Sequence, residues 1–170
     1  MHPLFHHLFV DYCTYFNGNE DYFECHEVLE EYWKEIAPGV KDHPLVGYVQ
    51  LATGMYHLRR GNTIGAQRIL LKAKVNFEAN KGSKFFDYVD TSKLMLDVDA
   101  TLYCITQNRP FEPFQLTLTN TTLQTLVCEQ IAKQPEQDPA FLFNKHMLRD
   151  RSDILEARAE KLRKTQLGPK

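Results

Sequence analysis

Along most of this chain apolar residues recur every three or four positions, the spacing of one face of a helix. The first such run covers residues 3–17, with Pro3 in its first turn and Asn17-Gly18 as a stop signal. The second covers 20–37 and halts at Pro38-Gly39. A third starts near His43-Pro44 and ends at Gly61, and a fourth follows at once to Asn80, with Asn62 or Thr63 as its N-cap. After a loop opened by Lys81-Gly82-Ser83, a fifth covers 90–108. Short connections favour antiparallel neighbours, so the prediction is an all-α antiparallel helical bundle.

The pattern changes after Asn108. Arg109-Pro110-Phe111-Glu112-Pro113 is incompatible with a helix, and residues 114–118 alternate like a short extended segment. Helical spacing resumes over 121–133 and over 139–165, the latter capped by Asp138. The reading is a bundle at 1–108 and a helical C-terminal appendage at 109–170 packed on it, a single domain overall. An appendage of about 60 residues is marginal by itself.

A length of 170 residues suffices for one sizeable core, and 43% hydrophobic with 25% charged residues is the composition of a globular protein. A net charge of −2 sets up no field for nucleic acid or an anionic membrane. The basic tail of Arg158, Lys161, Arg163, Lys164 and Lys170 is diluted by Glu156 and Glu160 and reads as a solvated helix end. The apolar run from Leu45 to Leu58 is too short to span a bilayer. The start lacks the pattern of a secretory signal, and His2, His6 and His7 read as exposed. Cys13, Cys25, Cys104 and Cys128 are far apart and read as buried free thiols, which makes the expected location cytoplasmic.

Candidate chemistry is concentrated in two helices. On a helical wheel Tyr22, Leu29, Trp33 and Ile36 form an apolar arc, and His26 and Glu30, four residues apart, fall inside it. An ionisable pair facing a core is costly unless it is paired or used. Glu27 and Lys34 point the other way. The third helix is apolar except for one stripe: Gly47, Gln50, Gly54, His57 and Gly61. If that stripe faces the second helix, His26, Glu30, Gln50 and His57 form a buried polar cluster, closed at one end by Arg60 and Asn62.

Such a cluster supports three readings. His26, Glu30 and His57 would suit a divalent metal, although neither a His-Glu-x-x-His zinc motif nor a Glu-x-x-His di-iron pair is present. Alternatively, the cluster binds a small polar ligand, with His26 and Glu30 as an acid/base pair. In the third reading the protein is a structural or interaction module, the cluster only fixes helix packing, and the helix faces dock a protein partner or a second copy. Arg59, Arg60 and Arg68 read as solvated surface rather than an anion site. Tyr32, Trp33, Tyr48 and Tyr56 read as core.

Two stretches carry a resemblance. Phe16-Asn17-Gly18 leads to Tyr22-Phe23-Glu24-Cys25-His26-Glu27-Val28-Leu29-Glu30-Glu31-Tyr32-Trp33, and Gln50-Leu51-Ala52-Thr53-Gly54-Met55-Tyr56-His57-Leu58-Arg59-Arg60-Gly61-Asn62 precedes Gly65-Ala66. In that order they resemble the small prokaryotic family catalogued as domain of unknown function 309, over about residues 14–75. The resemblance implies a helical bundle in a bacterial or archaeal cytoplasm and names no activity. Its motif positions fall on Glu24, His26, Glu27, Glu30, Trp33, Gln50, His57, Gly61 and Asn62, which brings Glu27 into the candidate ligand set. Residues 146–152 resemble the longer Bacillus-type members.

Overall fold

The computed structural model describes residues 1–145. They divide between two compact units, one of Met1–Glu136 and one beginning at Gln137, and each is described by itself. After a 3-10 turn at Pro3–Phe5, the first unit runs through α1 (His7–Asn17), α2 (Tyr22–Ile36), α3 (Pro44–Arg59), α4 (Thr63–Ala79), a second 3-10 turn at Lys84–Phe86, α5 (Thr91–Thr106) and α6 (Thr121–Ala132). The second unit contributes α7 (Pro139–Phe143), capped by Asp138, whose carboxylate accepts from the Ala140 amide at 2.9 Å. The helical pattern predicted to reach 165, and the basic tail, lie outside the described residues beyond Lys145.

The fold is all-α. Among the described residues no strand forms. The alternating segment contributes one antiparallel bridge, between Leu118 and Val89, flanked by Asp90 N–H to Thr117 O and Thr119 N–H to Tyr88 O, both 2.8 Å. Asn17 ties the same segment to α1 with two bonds to the Leu116 backbone, at 2.9 and 2.8 Å. Residues 109–136 thus belong to the same compact unit as the bundle.

Each helix starts where a side chain satisfies an amide that the helix leaves without a partner. Asp21, Asn62, Asp90 and Asn120 do this for α2, α4, α5 and α6, accepting at 3.0–3.1 Å from the amide three residues on. Three other starts use histidine. The Nδ1 atoms of His2, His6 and His43 accept from the Leu4, Leu8 and Leu45 amides at 3.2, 3.3 and 3.1 Å. His2 and His6 are therefore half-buried structural groups, not the exposed pair expected. His2 Nε2 also lies 3.0 Å from Asp87 Oδ2, and the His6 ring stacks on Tyr32 at 4.0 Å.

Helix α3 is the centre of the bundle, with α2 and α4 as its main neighbours. A Cβ at Gly47 would strike the Asn76 and Phe77 side chains, and one at Gly54 would meet Leu70 at 2.5 Å. The start of α3 thus meets the end of α4, so the pair is antiparallel, and α4 is the helix that the glycines admit. The expectation that this stripe faces α2 is corrected. Its small residues occupy the closest approach, and the neighbour found there is α4.

Tyrosines lock the centre. Tyr12 of α1 donates to the Tyr48 carbonyl of α3 at 2.8 Å, and Tyr48 donates to the Phe85 carbonyl at 2.9 Å. Both rings are fully buried beside Phe9 and Phe16, each bond satisfying a hydroxyl that burial strips of water. Burial also pushes both phenols well above their ordinary pKa. Cys13 and Cys25 are buried as expected, but Cys104 is half-buried and Cys128 exposed. Helices α5 and α6 turn those positions away from the core. No helix among the described residues is long and apolar enough to cross a membrane.

Candidate functional site

The side of α2 that enters the core is Tyr22, Cys25, Leu29 and Tyr32. This is rotated from the predicted arc: Trp33 becomes a flank and Ile36 is 44% exposed. The rotation carries His26 and Glu30 out of the core to its edge, where their side chains are 33% and 31% exposed. The cluster expected to be buried is therefore open to solvent on α2. Tyr22 and Tyr32 mark the rotation: Tyr22 packs edge to face on Phe16, and Tyr32 stacks on His6 and donates to the Pro3 carbonyl at 2.9 Å.

Three ionisable side chains meet there. His26 Nδ1 lies 3.3 Å from Glu27 Oε1, and His26 Nε2 lies 3.4 Å from Glu30 Oε2. One ligand atom from each of the three falls within 4.8 Å of the other two. Glu30 Oε1 also receives the Lys34 ammonium at 2.6 Å, the favourable acid-before-base i,i+4 order. The carboxylate bonds the ammonium and raises its pKa. Sequence reasoning passed over Lys34 as a solvent-facing charge, although its spacing from Glu30 was legible.

The α3 residues form a second group. His57 is half-buried, and its Nδ1 lies 3.5 Å from the Asn62 amide nitrogen, at the outer edge of a hydrogen bond. Burial first, and then the neighbouring Arg60 charge, lower the His57 pKa, which favours the uncharged imidazole. The Arg60 guanidinium lies 5.7 Å from the Tyr56 ring centre. Asn62 also caps α4, accepting from the Gly65 amide at 3.0 Å. Gln50 stands two turns before His57 with its Oε1 shielded from solvent and, among the described residues, without a hydrogen bond. An orphaned amide oxygen costs about 1–3 kcal/mol unless a donor reaches it.

The structure thus brings His26, Glu27 and Glu30 together, and separately His57, Arg60 and Asn62. Among the described residues no hydrogen bond or ion pair joins His26, Glu27 or Glu30 to His57 or Asn62. Glu27, rather than His57, completes the set within ligand distance of His26 and Glu30. The reason is helix-local: residues i, i+1 and i+4 meet on α2 without help from a neighbour, whereas the stripe bearing Gln50 and His57 turns toward α4.

The model of the family described as "Domain of unknown function (DUF309)" matches residues 9–69, a span that holds both groups. The chain is also 32% identical over 161 residues to the uncharacterized protein YpuF of Bacillus subtilis (strain 168), covering 91% of this chain and 92% of that protein. No solved structure matches. Similarity of that extent to a full-length relative, with the family match across α1 to α4, makes this chain a member of the DUF309 family.

Proposed function

We propose that this protein binds a divalent cation through His26 and Glu30 on the open side of α2, with Glu27 as the third member of the group. The observation that carries the reading is the separation of 3.4 Å between His26 Nε2 and Glu30 Oε2. Two ligands about 2.0–2.2 Å from one ion in a tetrahedral shell stand roughly 3.3–3.6 Å apart. Glu27 on Nδ1 supplies the carboxylate that holds a ligating imidazole in its Nε2-donor tautomer. Two firm protein ligands leave the other positions to water or to a polar ligand. The orphaned Gln50 oxygen and the half-buried His57 support a polar molecule on the α3 side, with Arg60 and Asn62 at its edge.

The Lys34–Glu30 ion pair favours a second reading, in which the cluster only stabilises the helix and the protein is an interaction module. Titration with Zn²⁺ and with Co²⁺, followed by calorimetry and Co²⁺ absorption, tests the first. The expected result is one saturable site that His26→Ala abolishes. Heat unchanged by that substitution refutes it. Glu30→Gln adds an independent measure in urea denaturation. A half-exposed pair held for ligand binding costs about 0–1 kcal/mol when lost. A loss of several kcal/mol instead supports the packing reading.

A further inference from the structure

We propose that a second site, a cleft between the end of α4, the Lys84–Phe86 turn and the start of α5, binds a small aromatic carboxylate. The cleft has a volume of about 600 Å³, within the range of pockets that hold small molecules. Phe77, Phe86, Leu94 and Met95 line its apolar part. The two phenylalanines meet edge to face, with centroids 5.6 Å apart, and all but Met95 are buried in the core. A flat ring is the shape that covers such a surface with good dispersion contact.

The polar lining selects the charge. Lys81, Thr91 and Ser92 stand in it with exposed side chains. Thr91 and Ser92 are the first two residues of α5, a helix of 16 residues. Their amides precede those satisfied by Asp90, which takes the Lys93 amide on its carboxylate at 3.0 Å and the Leu94 amide on its carbonyl at 2.9 Å. The amino end of a helix favours negative charge, and here it shares a lining with an ammonium. The acidic group in the same lining, Asp87, lies 3.0 Å from His2 Nε2. Asp87 thus has its partner outside the lining, the Lys81 ammonium and the amino end of α5 set the preference, and the complementary ligand is a monoanion with an apolar ring.

The test is amide NMR of the full chain titrated with 2-naphthoate and with 2-naphthylmethanol, which share the ring and differ in charge. Saturable shifts confined to residues 77–87 and 91–95 are expected, with the alcohol weaker by about tenfold, the worth of one charge-assisted contact. Lys81→Glu should erase that difference, and Met95→Trp, which fills the cleft, should weaken both. Shifts that do not saturate, shifts centred on α2, or equal affinity for acid and alcohol each overturn the proposal.

Discussion

Replacing His43 tests whether a histidine holds the start of the central helix. Its Nδ1 accepts from the Leu45 amide at 3.1 Å, and its ring stands edge to face on Phe85 with centroids 4.8 Å apart. His43→Ala removes both. A lost cap costs about 1 kcal/mol and a lost aromatic pair about 0.5–1.5 kcal/mol, so a total near 2 kcal/mol is expected. His43→Ser restores an acceptor but not the ring, and should recover about half of that. Acid acts on the same bond, because a protonated Nδ1 cannot accept. Burial lowers the His43 pKa below 6.5, only partly opposed by Asp42.

The folded value is thus depressed, and the unfolded chain takes up its proton first. The contribution of His43 is complete above the unfolded value near 6.5, and it declines as pH falls from there through the folded value. For one group the slope stays below about 1.4 kcal/mol per pH unit. Urea denaturation of wild type, His43→Ser and His43→Ala at pH 7.5, 6.0 and 5.0 measures this, and the wild-type advantage over His43→Ser should shrink with acid. An advantage constant across that range, or a serine variant as unstable as the alanine one, would refute the cap.

Other outcomes follow from the same contacts. Gly54→Ala drives a methyl into Leu70 and should cost about 1–3 kcal/mol in chemical denaturation. Tyr12→Phe removes the bond to the Tyr48 carbonyl and should cost about 1 kcal/mol by the same assay. Lys34→Met frees Glu30 of its ammonium and should tighten Zn²⁺ binding by about two- to fivefold in calorimetry, the worth of an exposed pair. In the native state an aromatic disulfide reagent should label Cys128 first. Cys13 and Cys25 should wait for unfolding, since burial raises both thiols.

Helix boundaries were legible because they depend on neighbours in sequence. Asn62 and Asp138 were readable as caps, and Pro38-Gly39 as a stop, since each acts within one helical turn. The histidine caps were not read, because histidine is not a favoured cap. The signal was present in His2-Pro3 and His43-Pro44, where proline marks the first helical position. The contact of His26 with Glu30 was legible for the same local reason, being one turn apart on α2.

What the sequence could not supply is rotation about the helix axis and the choice of neighbour. Tyr22, Trp33, Tyr32 and Ile36 are all large and apolar, so the wheel alone leaves the buried direction of α2 open by tens of degrees. Packing against α1 and α3 chose Tyr22 and Tyr32, and this moved His26 and Glu30 from interior to edge. Gly47 and Gly54 announced that some helix comes close, yet only the assembled bundle made that helix α4. Local hydrogen bonds and spacing thus determined that this chain is a set of capped helices bearing a His/Glu group. Side-chain packing between distant segments decided which way each helix turns, and with it whether that group faces the core or the solvent.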